Sequence, residues 1–431
     1  MGEKLAINGG DPAVTIGDPE RWRRPIDEEL RLVSALLKEG AISGSGKGLP
    51  KEFEEDFQEY TGTEYCLTTD HGSSALASAF YAAGVGPGDE VIVPTAGYIG
   101  SYAGALHMGA RPVFCDIDPD TLLIDPEDAG KRITHRTRAI VPIHYRGNVC
   151  DMDALMDLGR RHGVAIIEDA AHAHGSEWDG EKTGNVGDMT CFSLQGVGTG
   201  GKPVSGGEGG IVTTNSREFY ERQLIFCHLH RSGITEEFSN PAYRMLEKEV
   251  LGQKWRAHPL ALAIAKVSLA TLDSRIEKSE RVRIKIFDGM GDLPGLEPEH
   301  SYPKAKRVQL YGGLQFIYYP DELDGLSTDR LLEALRAEGV PVRGPGFDHL
   351  QHLKPIYRRG FDLWGHNRGP ISGAWMGLPP YRPYGSGDFP VAEELHRRTF
   401  NLPCYIDPKP GFIDQLLEGF RKAVSNRDAI P

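Results

Sequence analysis

The sequence predicts an α/β fold in which a mainly parallel sheet lies between helices, followed by a smaller α+β region. Short apolar runs alternate with helical patterns between residues 65 and 214. Runs that are apolar throughout are typical of parallel strands buried on both faces, and alternation with helices indicates that each face is covered. After about residue 285 this alternation ends. We therefore predict an N-terminal arm over 1–25, a large domain over 26–284 and a small C-terminal domain over 285–431.

Hydrophobic periodicity and turn residues locate the individual elements. Apolar residues three and four apart predict helices, and short apolar runs that end at Gly, Pro or polar residues predict strands. In the large domain the predicted helices are 26–39, 51–61, 72–83, 100–108 and 151–162, with a long amphipathic stretch over 256–283. The predicted strands there are 65–69, 91–94, 111–115, 139–142, 164–167, 189–194 and 211–214. The small domain is predicted to hold strands at 310–318 and 340–343, helices at 327–339, 390–398 and 411–424, and loops over 343–390.

The composition disfavours several classes of partner. The 431 residues carry a formal net charge of −13, which disfavours binding to nucleic acid or to an anionic membrane. No apolar run approaches the roughly 20 residues of a membrane span, and the start of the chain lacks the pattern of a secretory signal. The cysteines are scattered without C-x-x-C pairs, which indicates reduced thiols in a cytoplasmic protein rather than a disulfide or zinc framework. They are Cys66, Cys115, Cys150, Cys191, Cys227 and Cys404.

A glycine-rich loop around Lys202 is the most distinctive stretch of the chain. Glycine allows the backbone to approach a ligand closely. Residues 196–202 fit the phosphate-binding pattern G-x-x-x-x-G-K, but Pro203 stands where that pattern needs a Ser or Thr hydroxyl and a helix that begins at the lysine. Three glycines of the loop also fit a dinucleotide fingerprint, but a further glycine-rich turn follows instead of an amphipathic helix. The sequence therefore disfavours both kinds of nucleotide site.

Two interpretations of the loop remain. Lys202 is either a Schiff-base lysine of a pyridoxal phosphate enzyme or a solvated lysine in a flexible surface loop. The first interpretation requires three partners elsewhere in the chain: an acid for the pyridine nitrogen, an aromatic ring that stacks on the cofactor, and donors for the phosphate. The sequence offers a candidate for each of these partners.

The candidate acid is Asp169, which comes two residues after the apolar run 164–167. A carboxylate buried at a strand end is costly unless it is paired, and a protonated pyridine nitrogen is a suitable partner. A helix N-cap or a structural salt bridge is the alternative role for this residue. His172 lies three residues further on, and we expect it either to contact the cofactor ring oxygen or to be a structural histidine.

The candidate ring is Tyr98, which follows a predicted strand and would either stack on the cofactor or pack in the core. Gly72, Ser73 and Ser74 open a predicted helix directly after a strand. Free amides and the helix dipole make such a start an anion site, and the Ser193 hydroxyl is a further donor for a phosphate. The alternative is a simple N-cap, a position where serine is common.

These motifs together resemble the DegT/DnrJ/StrS family of sugar aminotransferases, which are fold-type-I pyridoxal phosphate enzymes. The resemblance rests on G-S-S-A-L, P-x-x-G-Y, E-D-A-A-H-A-H-G, C-F-S-L-Q and K-P-V-S-G-G-E-G-G, which occur in this order. It covers the chain from about residue 40 onward and is strongest over 65–265. The branch that the chain resembles most contains scyllo-inosose aminotransferases and 3-amino-5-hydroxybenzoate synthase.

The resemblance implies a role for each candidate residue. Lys202 would form the covalent imine with pyridoxal 5'-phosphate, Asp169 would pair with the pyridine nitrogen, and Tyr98 would stack on the ring. The implied phosphate ligands are Gly72, Ser73 and Ser193. The family commonly brings an Asn from the partner subunit to the phosphate in a G-x-N-x-R motif, and this chain has Lys254 at that position. A homodimer with a shared active site is therefore expected.

Two further positions differ from the pattern of the family. Ser193 and Lys202 lie further apart than in most relatives, because the glycine-rich part of the loop is longer. His172 stands where many members have Gln, which changes the expected contact with the cofactor ring oxygen.

The resemblance implies a transaminase that moves an amino group from glutamate or glutamine to a keto group of a sugar, cyclitol or related polyhydroxylated molecule, in natural-product and antibiotic biosynthesis. The residues expected to contact the acceptor are 8–10 of the arm, His228, His230, Arg231, His349 and His352. One alternative is a dehydratase that uses the pyridoxamine form of the cofactor, in which the family replaces the lysine by histidine. Another is a family member that senses a ligand without turnover. The presence of Lys202 argues against the dehydratase, and Lys202 together with Asp169 argues against the sensor.

Overall fold

The computed structural model describes residues 4–197, 200–228, 231, 236–246, 252–308, 311–346, 349–360, 362–371, 377–378 and 380–431. Its helices are α1 (Ile26–Glu39), α2 (Leu49–Thr61), α3 (Gly72–Ala82), α4 (Gly100–His107), α5 (Pro126–Lys131), α6 (Met152–His162), α7 (Arg217–Cys227), α8 (Pro241–Arg244), α9 (Pro259–Ala270), α10 (Leu272–Met290), α11 (Thr328–Ala337), α12 (Pro355–Arg359), α13 (Pro390–Arg398) and α14 (Phe412–Ser425). Its strands are β1 (Tyr65–Thr69), β2 (Glu90–Pro94), β3 (Arg111–Cys115), β4 (Thr137–Ile140), β5 (Ala165–Asp169), β6 (Glu177–Trp178), β7 (Glu181–Lys182), β8 (Met189–Ser193), β9 (Gly210–Thr214), β10 (Leu296–Pro298), β11 (Ala305–Lys306), β12 (Leu314–Tyr318) and β13 (Thr399–Leu402). The bounds predicted for α1, β1, β3 and α13 are confirmed to the residue.

A seven-stranded sheet forms the centre of the fold, with the strand order β1-β9-β8-β5-β4-β2-β3. The pairs β2–β3, β2–β4, β4–β5 and β5–β8 are parallel, whereas β9 pairs antiparallel with β1 and β8. Every residue of β2 and β9 is buried. Burial on both faces explains why the strands read as continuous apolar runs. The predicted mainly parallel sheet is therefore confirmed.

The carboxyl edge of this sheet gathers several predicted site residues. Strand β5 ends at Asp169, which pairs with Cys191 in β8, and β8 ends two residues later at Ser193. Strand β2 ends at Pro94 and leads to Tyr98. Because parallel strands end at the same edge, residues far apart in sequence meet there.

A second core lies around the sheet formed by β10, β12 and β13. Its buried apolar side chains come from this sheet and from helices α10, α11 and α14, and residues Val14 and Ile16 of the N-terminal arm pack against it. Helix α10 runs through the predicted domain boundary at 284–285 and contributes Ile286 to this core. The division into domains stays a prediction. None of the helices within the described ranges has the length and apolar character that crossing a membrane requires.

Two predicted strands differ from the structure. Residues 340–343 form no strand, and Arg343 makes only an isolated antiparallel bridge to Asn401. The strand predicted over 310–318 is observed over Leu314–Tyr318, since Gly312 and Gly313 have φ angles of 79° and 110°, outside the extended region, and residue 310 lies outside the described residues. The amphipathic stretch predicted over 256–283 is divided into α9 and α10. The elements that were not predicted from the sequence are helices α5, α7, α8 and α12 and strands β6, β7, β10, β11 and β13. Of these, α12 lies within the stretch 343–390 that was predicted to be loops.

Candidate active site

A cavity of about 1010 Å³ opens at the carboxyl edge of the central sheet. This volume is at the upper end of the range for small-molecule sites, so the cavity has room for a cofactor together with a substrate. It brings together many of the residues predicted for the site. Those that line it are Gly72, Ser73, Tyr98, Asp169, His172, Ser193, Lys202 and His349.

The glycine-rich loop returns on itself before it reaches Lys202. The Lys202 N–H donates to the Gln195 carbonyl at 2.9 Å, and Gly196 and Gly207 exchange two backbone hydrogen bonds of 2.8 and 2.9 Å. A Cβ on Gly196, which has φ +84°, would lie 2.6 Å from the Cα of Gly201. Only glycine allows this approach and this backbone angle. Residues 198 and 199 of this loop lie outside the described ones, and the hydrogen bond from Lys202 to Gln195 holds the lysine next to the end of β8.

The ammonium of Lys202 lies 4.4 Å from the ring centroid of Tyr311. An ammonium over an aromatic face at this distance is a cation–π contact. The Tyr311 ring also lies 4.6 Å from the ring of His172, so the three side chains form one group at the cavity. Sequence reasoning missed Tyr311, because a tyrosine distant in sequence carries no motif that links it to the lysine.

Asp169 is buried and fixed by its surroundings. Its Oδ2 accepts from the Ser101 hydroxyl at 2.6 Å, and its Oδ1 accepts from the Ala171 N–H at 3.1 Å. Its backbone N–H donates to the Pro142 carbonyl at 2.8 Å, while its carbonyl accepts from the His144 N–H at 3.0 Å. A carboxylate has about four lone-pair directions, so these contacts leave acceptor capacity toward the cavity. Ser101, which also lines the cavity, was not predicted.

His172 is held as a neutral imidazole. Its Nδ1 accepts the Arg146 backbone N–H at 3.1 Å, which assigns the proton of the neutral ring to Nε2. Burial, and then the positive charges of Lys202 and Arg146, lower the pKa of His172 well below its usual value. The ring therefore presents one N–H donor near Lys202.

Helix α3 begins against the end of β8. A Cβ on Gly72 would lie 2.9 Å from the Cβ of Ser193, so the first turn of the helix touches the serine directly. No side chain caps this helix at His71, and the amides of Gly72 and Ser73 are among the first four of the helix, which have no acceptor within it. Ser74 differs, because its N–H donates to the His71 carbonyl at 3.1 Å. The start of α3 thus offers amides and hydroxyls to an anion.

Tyr98 presents a free aromatic face. The residue is 62% exposed, although it lies at the edge of a buried sheet. The Tyr98 ring lies 6.1 Å from the ring of His349, and a Cβ on Gly100 would lie 2.8 Å from two of its carbons. Glycine at position 100 therefore leaves room for this ring at the cavity wall.

Two of the predicted acceptor contacts are engaged elsewhere in the fold. His228 is buried, with its Nδ1 3.1 Å from the Ser45 hydroxyl, and burial lowers its pKa to about 3. Arg231 is buried and forms ion pairs of 2.9 Å with Glu54 and 3.1 Å with Glu236. Neither residue lines the cavity. His230 lies outside the described residues.

Two more predicted residues also lie away from the cavity lining. His352 is buried between the Thr95 hydroxyl at 2.6 Å and a carboxylate oxygen of Glu393 at 3.0 Å. Lys254 is exposed and forms an isolated bridge with His228. The structure therefore brings neither of them to the group around Lys202.

The cavity is also lined by two arginines and an asparagine that sequence reasoning did not identify. Arg146 is 4% exposed, donates to the Gly312 carbonyl, and packs its guanidinium 5.1 Å from the Tyr145 ring. Its Nε has no acceptor among the described residues. Arg343 and Asn401 line the same cavity from segments near the second core. These residues are far apart in the sequence and none lies in a recognisable motif, so only the fold shows that they meet at the cavity.

Comparisons with known proteins agree with one family. A family model described as the DegT/DnrJ/EryC1/StrS aminotransferase family matches residues 24–369. L-glutamine:2-deoxy-scyllo-inosose aminotransferase from Streptomyces paromomycinus is 35% identical over 415 residues, which cover 93% of each chain. GDP-perosamine synthase from Caulobacter vibrioides is 32% identical over 369 residues, 85% of this chain and 87% of the relative. Among solved structures, 3-amino-5-hydroxybenzoic acid synthase has a TM-score of 0.76 at 24% identity and covers 97% of this chain and 100% of its own.

Proposed function

The chain belongs to the DegT/DnrJ/EryC1/StrS aminotransferase family, and from that membership we propose that it transfers the amino group of glutamine or glutamate to a keto group of a sugar, cyclitol or related polyhydroxylated molecule. One observation carries the proposal. A lysine, a buried carboxylate at a strand end and an uncapped helix start all line the same cavity. These are the three groups that a pyridoxal phosphate transaminase needs.

The residues of the cavity fit pyridoxal 5'-phosphate. The start of α3 is an anion cradle in which a Cβ at Gly72 would press against Ser193 at 2.9 Å, so a side chain at that position would distort it. Gly72, Ser73 and Ser193 would hold the phosphate, and the exposed face of Tyr98 would stack on the ring. When bound, the cofactor would supply an electron sink for negative charge that develops at the substrate carbon.

Asp169 would hold a proton on the pyridine nitrogen. Its two oxygens are oriented by the Ser101 hydroxyl and the Ala171 amide, so little reorganisation is needed when it binds a cation. Burying the Asp169 carboxylate without a cationic partner would cost free energy. Its hydrogen bond with the protonated pyridine nitrogen would therefore be strongly favourable. The neutral His172 would donate its Nε2 proton to the ring oxygen of the cofactor.

Lys202 would have two roles. Its amine would hold the cofactor covalently until the amino donor takes its place. The released amine would then act as a general base that removes the proton from the α-carbon of the amino donor. It would next act as a general acid that returns this proton in a 1,3-shift. Tyr311, with its ring 4.4 Å from the Lys202 nitrogen, would hold the ammonium that forms when this amine takes the proton close to the reacting atoms.

We propose a cytoplasmic homodimer that shares its active sites. Ile26, Leu30 and Leu37 of α1 are 50%, 56% and 56% exposed, and at 100° per residue they lie within about 40° of one another around the helix. An apolar stripe of this kind is a candidate for contact with a second copy of the chain. Lys254 is exposed outside the cavity of its own protomer, as expected if it reaches the phosphate of the partner. All six cysteines are free thiols, which suits a reducing compartment.

The acceptor is proposed to be polyhydroxylated and to react in natural-product biosynthesis. The names of two relatives support this: one is an L-glutamine:2-deoxy-scyllo-inosose aminotransferase and the other a GDP-perosamine synthase. His349 lines the cavity beside Tyr98 and is the predicted acceptor contact that the geometry supports best. The phosphate-binding-loop alternative is disfavoured further, because the chain after Lys202 leads to strand β9 and not to a helix.

Absorbance spectroscopy of the purified protein with pyridoxal phosphate tests the proposal. We expect a yellow band that disappears when L-glutamine or L-glutamate is added and returns when a suitable keto acceptor follows. A coloured protein that is inert to every amino donor would instead support the ligand-sensing alternative. A colourless protein that binds ATP would support the phosphate-binding loop. A screen of keto acceptors against the aminated form then identifies the second substrate.

A further inference from the structure

A guanidinium and a carboxamide stand side by side on one wall of the cavity. Arg343 and Asn401 exchange two backbone hydrogen bonds of 2.9 Å across their isolated antiparallel bridge. Residues directly opposite each other in an antiparallel pair direct their side chains to the same side. Both residues line the cavity. The backbone therefore presents the two polar side chains together toward the site.

Arg343 has no evident role in holding the fold together. The residue is exposed, and its guanidinium makes no hydrogen bond or ion pair within the described ranges of the chain. The other arginine of the cavity, Arg146, is buried and donates to the Gly312 carbonyl. The chain has 61 acidic residues against 48 Lys and Arg, so partners for a structural arginine are abundant. An arginine that faces a cavity without one of them is available to an anionic ligand.

The pair lies near Lys202. The Lys202 nitrogen is 4.4 Å from the ring of Tyr311, which precedes Gly312 and Gly313 in the chain. A Cβ on Gly313 would lie 3.0 Å from the Oδ1 of Asn401, so the carboxamide packs against this backbone. Two residues span at most roughly 8 Å of chain. The Arg343–Asn401 pair therefore lines the same cavity as Lys202 and Tyr311, next to the segment that carries Tyr311.

We propose that Arg343 and Asn401 bind the α-carboxylate of the amino donor, an inference that rests on the proposed function. A guanidinium matches a carboxylate with two parallel hydrogen bonds, and the Asn401 amide adds a third donor. An α-amino acid carries its amine and carboxylate on one carbon, so a carboxylate site near Lys202 orients that carbon. The polyhydroxylated acceptor uses the same cavity but has no carboxylate to place there. The pair would therefore favour the donor in one half-reaction and leave the other half-reaction unaffected.

The test compares the wild-type holoenzyme with Arg343→Gln in the two half-reactions separately. With L-glutamine, we expect the second-order rate constant for loss of the cofactor band to fall by about 10- to 100-fold, which corresponds to a lost hydrogen bond to a charged group. The aminated variant should react with 2-deoxy-scyllo-inosose, or another keto acceptor that the wild type accepts, within about twofold of the wild-type rate. Arg382→Gln is the matched control, because this side chain is 91% exposed and lies outside the cavity lining.

A binding measurement gives a second readout that does not depend on turnover. Calorimetry should show that the wild-type holoenzyme prefers glutaramate, which is glutamine without its amino group, over the uncharged glutaramide. Arg343→Gln should lose this preference. Equal affinity of the wild type and the variant for glutaramate would overturn the proposal, and so would an equal loss of rate in both half-reactions. A wild-type enzyme that reacts with no amino donor would overturn the proposed function itself, which distinguishes the two failures.

Discussion

Gly72→Ala tests the proposed phosphate cradle through a single methyl group. The added Cβ would lie 2.9 Å from the Cβ of Ser193 and 3.2 Å from its Cα. Carbon atoms pack best at about 3.5–4.0 Å, so the helix start must move by about 0.6 Å or more. Ser193 cannot easily yield, because it pairs with Gly210 in the central sheet. Gly210 in turn lies against the His71 carbonyl, with space for no side chain between them.

This displacement sets the size of the expected effect. A hydrogen bond from an amide to an anion, normally about 2.9 Å long, would stretch to about 3.5 Å, where little of it remains. Loss of one hydrogen bond to a charged group costs about 1.5–3 kcal/mol, so the dissociation constant of pyridoxal phosphate should rise by about 10- to 100-fold. Overpacking should also lower the free energy of unfolding of the cofactor-free protein by about 1–3 kcal/mol.

Two titrations measure these effects. Absorbance or fluorescence titration of the cofactor-free protein with pyridoxal phosphate gives the dissociation constant, and urea denaturation gives the stability. Gly17→Ala is the control, because a Cβ there meets no heavy atom within 4 Å. If Gly72→Ala bound the cofactor as tightly as the control, α3 would not be the phosphate site.

Three further substitutions test other parts of the account. Ser101→Ala removes the 2.6 Å hydrogen bond to Asp169 and should lower kcat by about 10-fold with little change in stability, as measured by steady-state kinetics and thermal melting. Glu299 is buried, and burial raises its pKa to about 8. Because the folded state then holds a proton that the unfolded state releases above about pH 4.5, this group lowers stability as pH rises from about 4.5 to 8. The free energy of unfolding of Glu299→Gln, measured by denaturation at each pH, should therefore rise relative to that of the wild type by about 2–5 kcal/mol between pH 5 and pH 9. A difference between the two proteins that does not change with pH would contradict this. Arg231→Met leaves the buried Glu54 carboxylate without its ion pair and should cost about 3–5 kcal/mol, whereas a changed KM at unchanged stability would show a substrate role.

The central sheet and the residues at its edge could be predicted because their signals are local. The alternation of apolar runs and helices is visible in sequence, and a parallel sheet brings strand ends together. Asp169, Tyr98 and Ser193 were identified as residues that follow apolar runs, and all three line the cavity. The family resemblance carried by these motifs is confirmed by the family match over residues 24–369.

The rest of the site depends on contacts between distant segments. Tyr311, Arg343 and Asn401 reach the cavity from stretches without motifs, and only the tertiary fold brings them to it. Arg231 shows the opposite case, since an arginine in a loop was expected to face a ligand. It is buried against Glu54, which is 177 residues away in sequence. No local pattern identifies a partner at that separation.

The strand expected at 340–343 failed for a related reason. Valines at alternate positions favour an extended chain, but a strand also needs a neighbour to pair with. Here only Arg343 finds one, in Asn401. The conformation of the glycine-rich loop could not be predicted for a similar reason. It depends on the hydrogen bond from the Lys202 N–H to the Gln195 carbonyl, which no sequence pattern indicates.

Borohydride reduction of the protein with pyridoxal phosphate, followed by peptide mass mapping, tests the central claim most directly. Reduction fixes the cofactor to the nitrogen that held it, so the labelled peptide identifies the lysine. We expect one label, on Lys202, and none in Lys202→Ala. A label on another lysine, or no label in the wild-type protein, would contradict it.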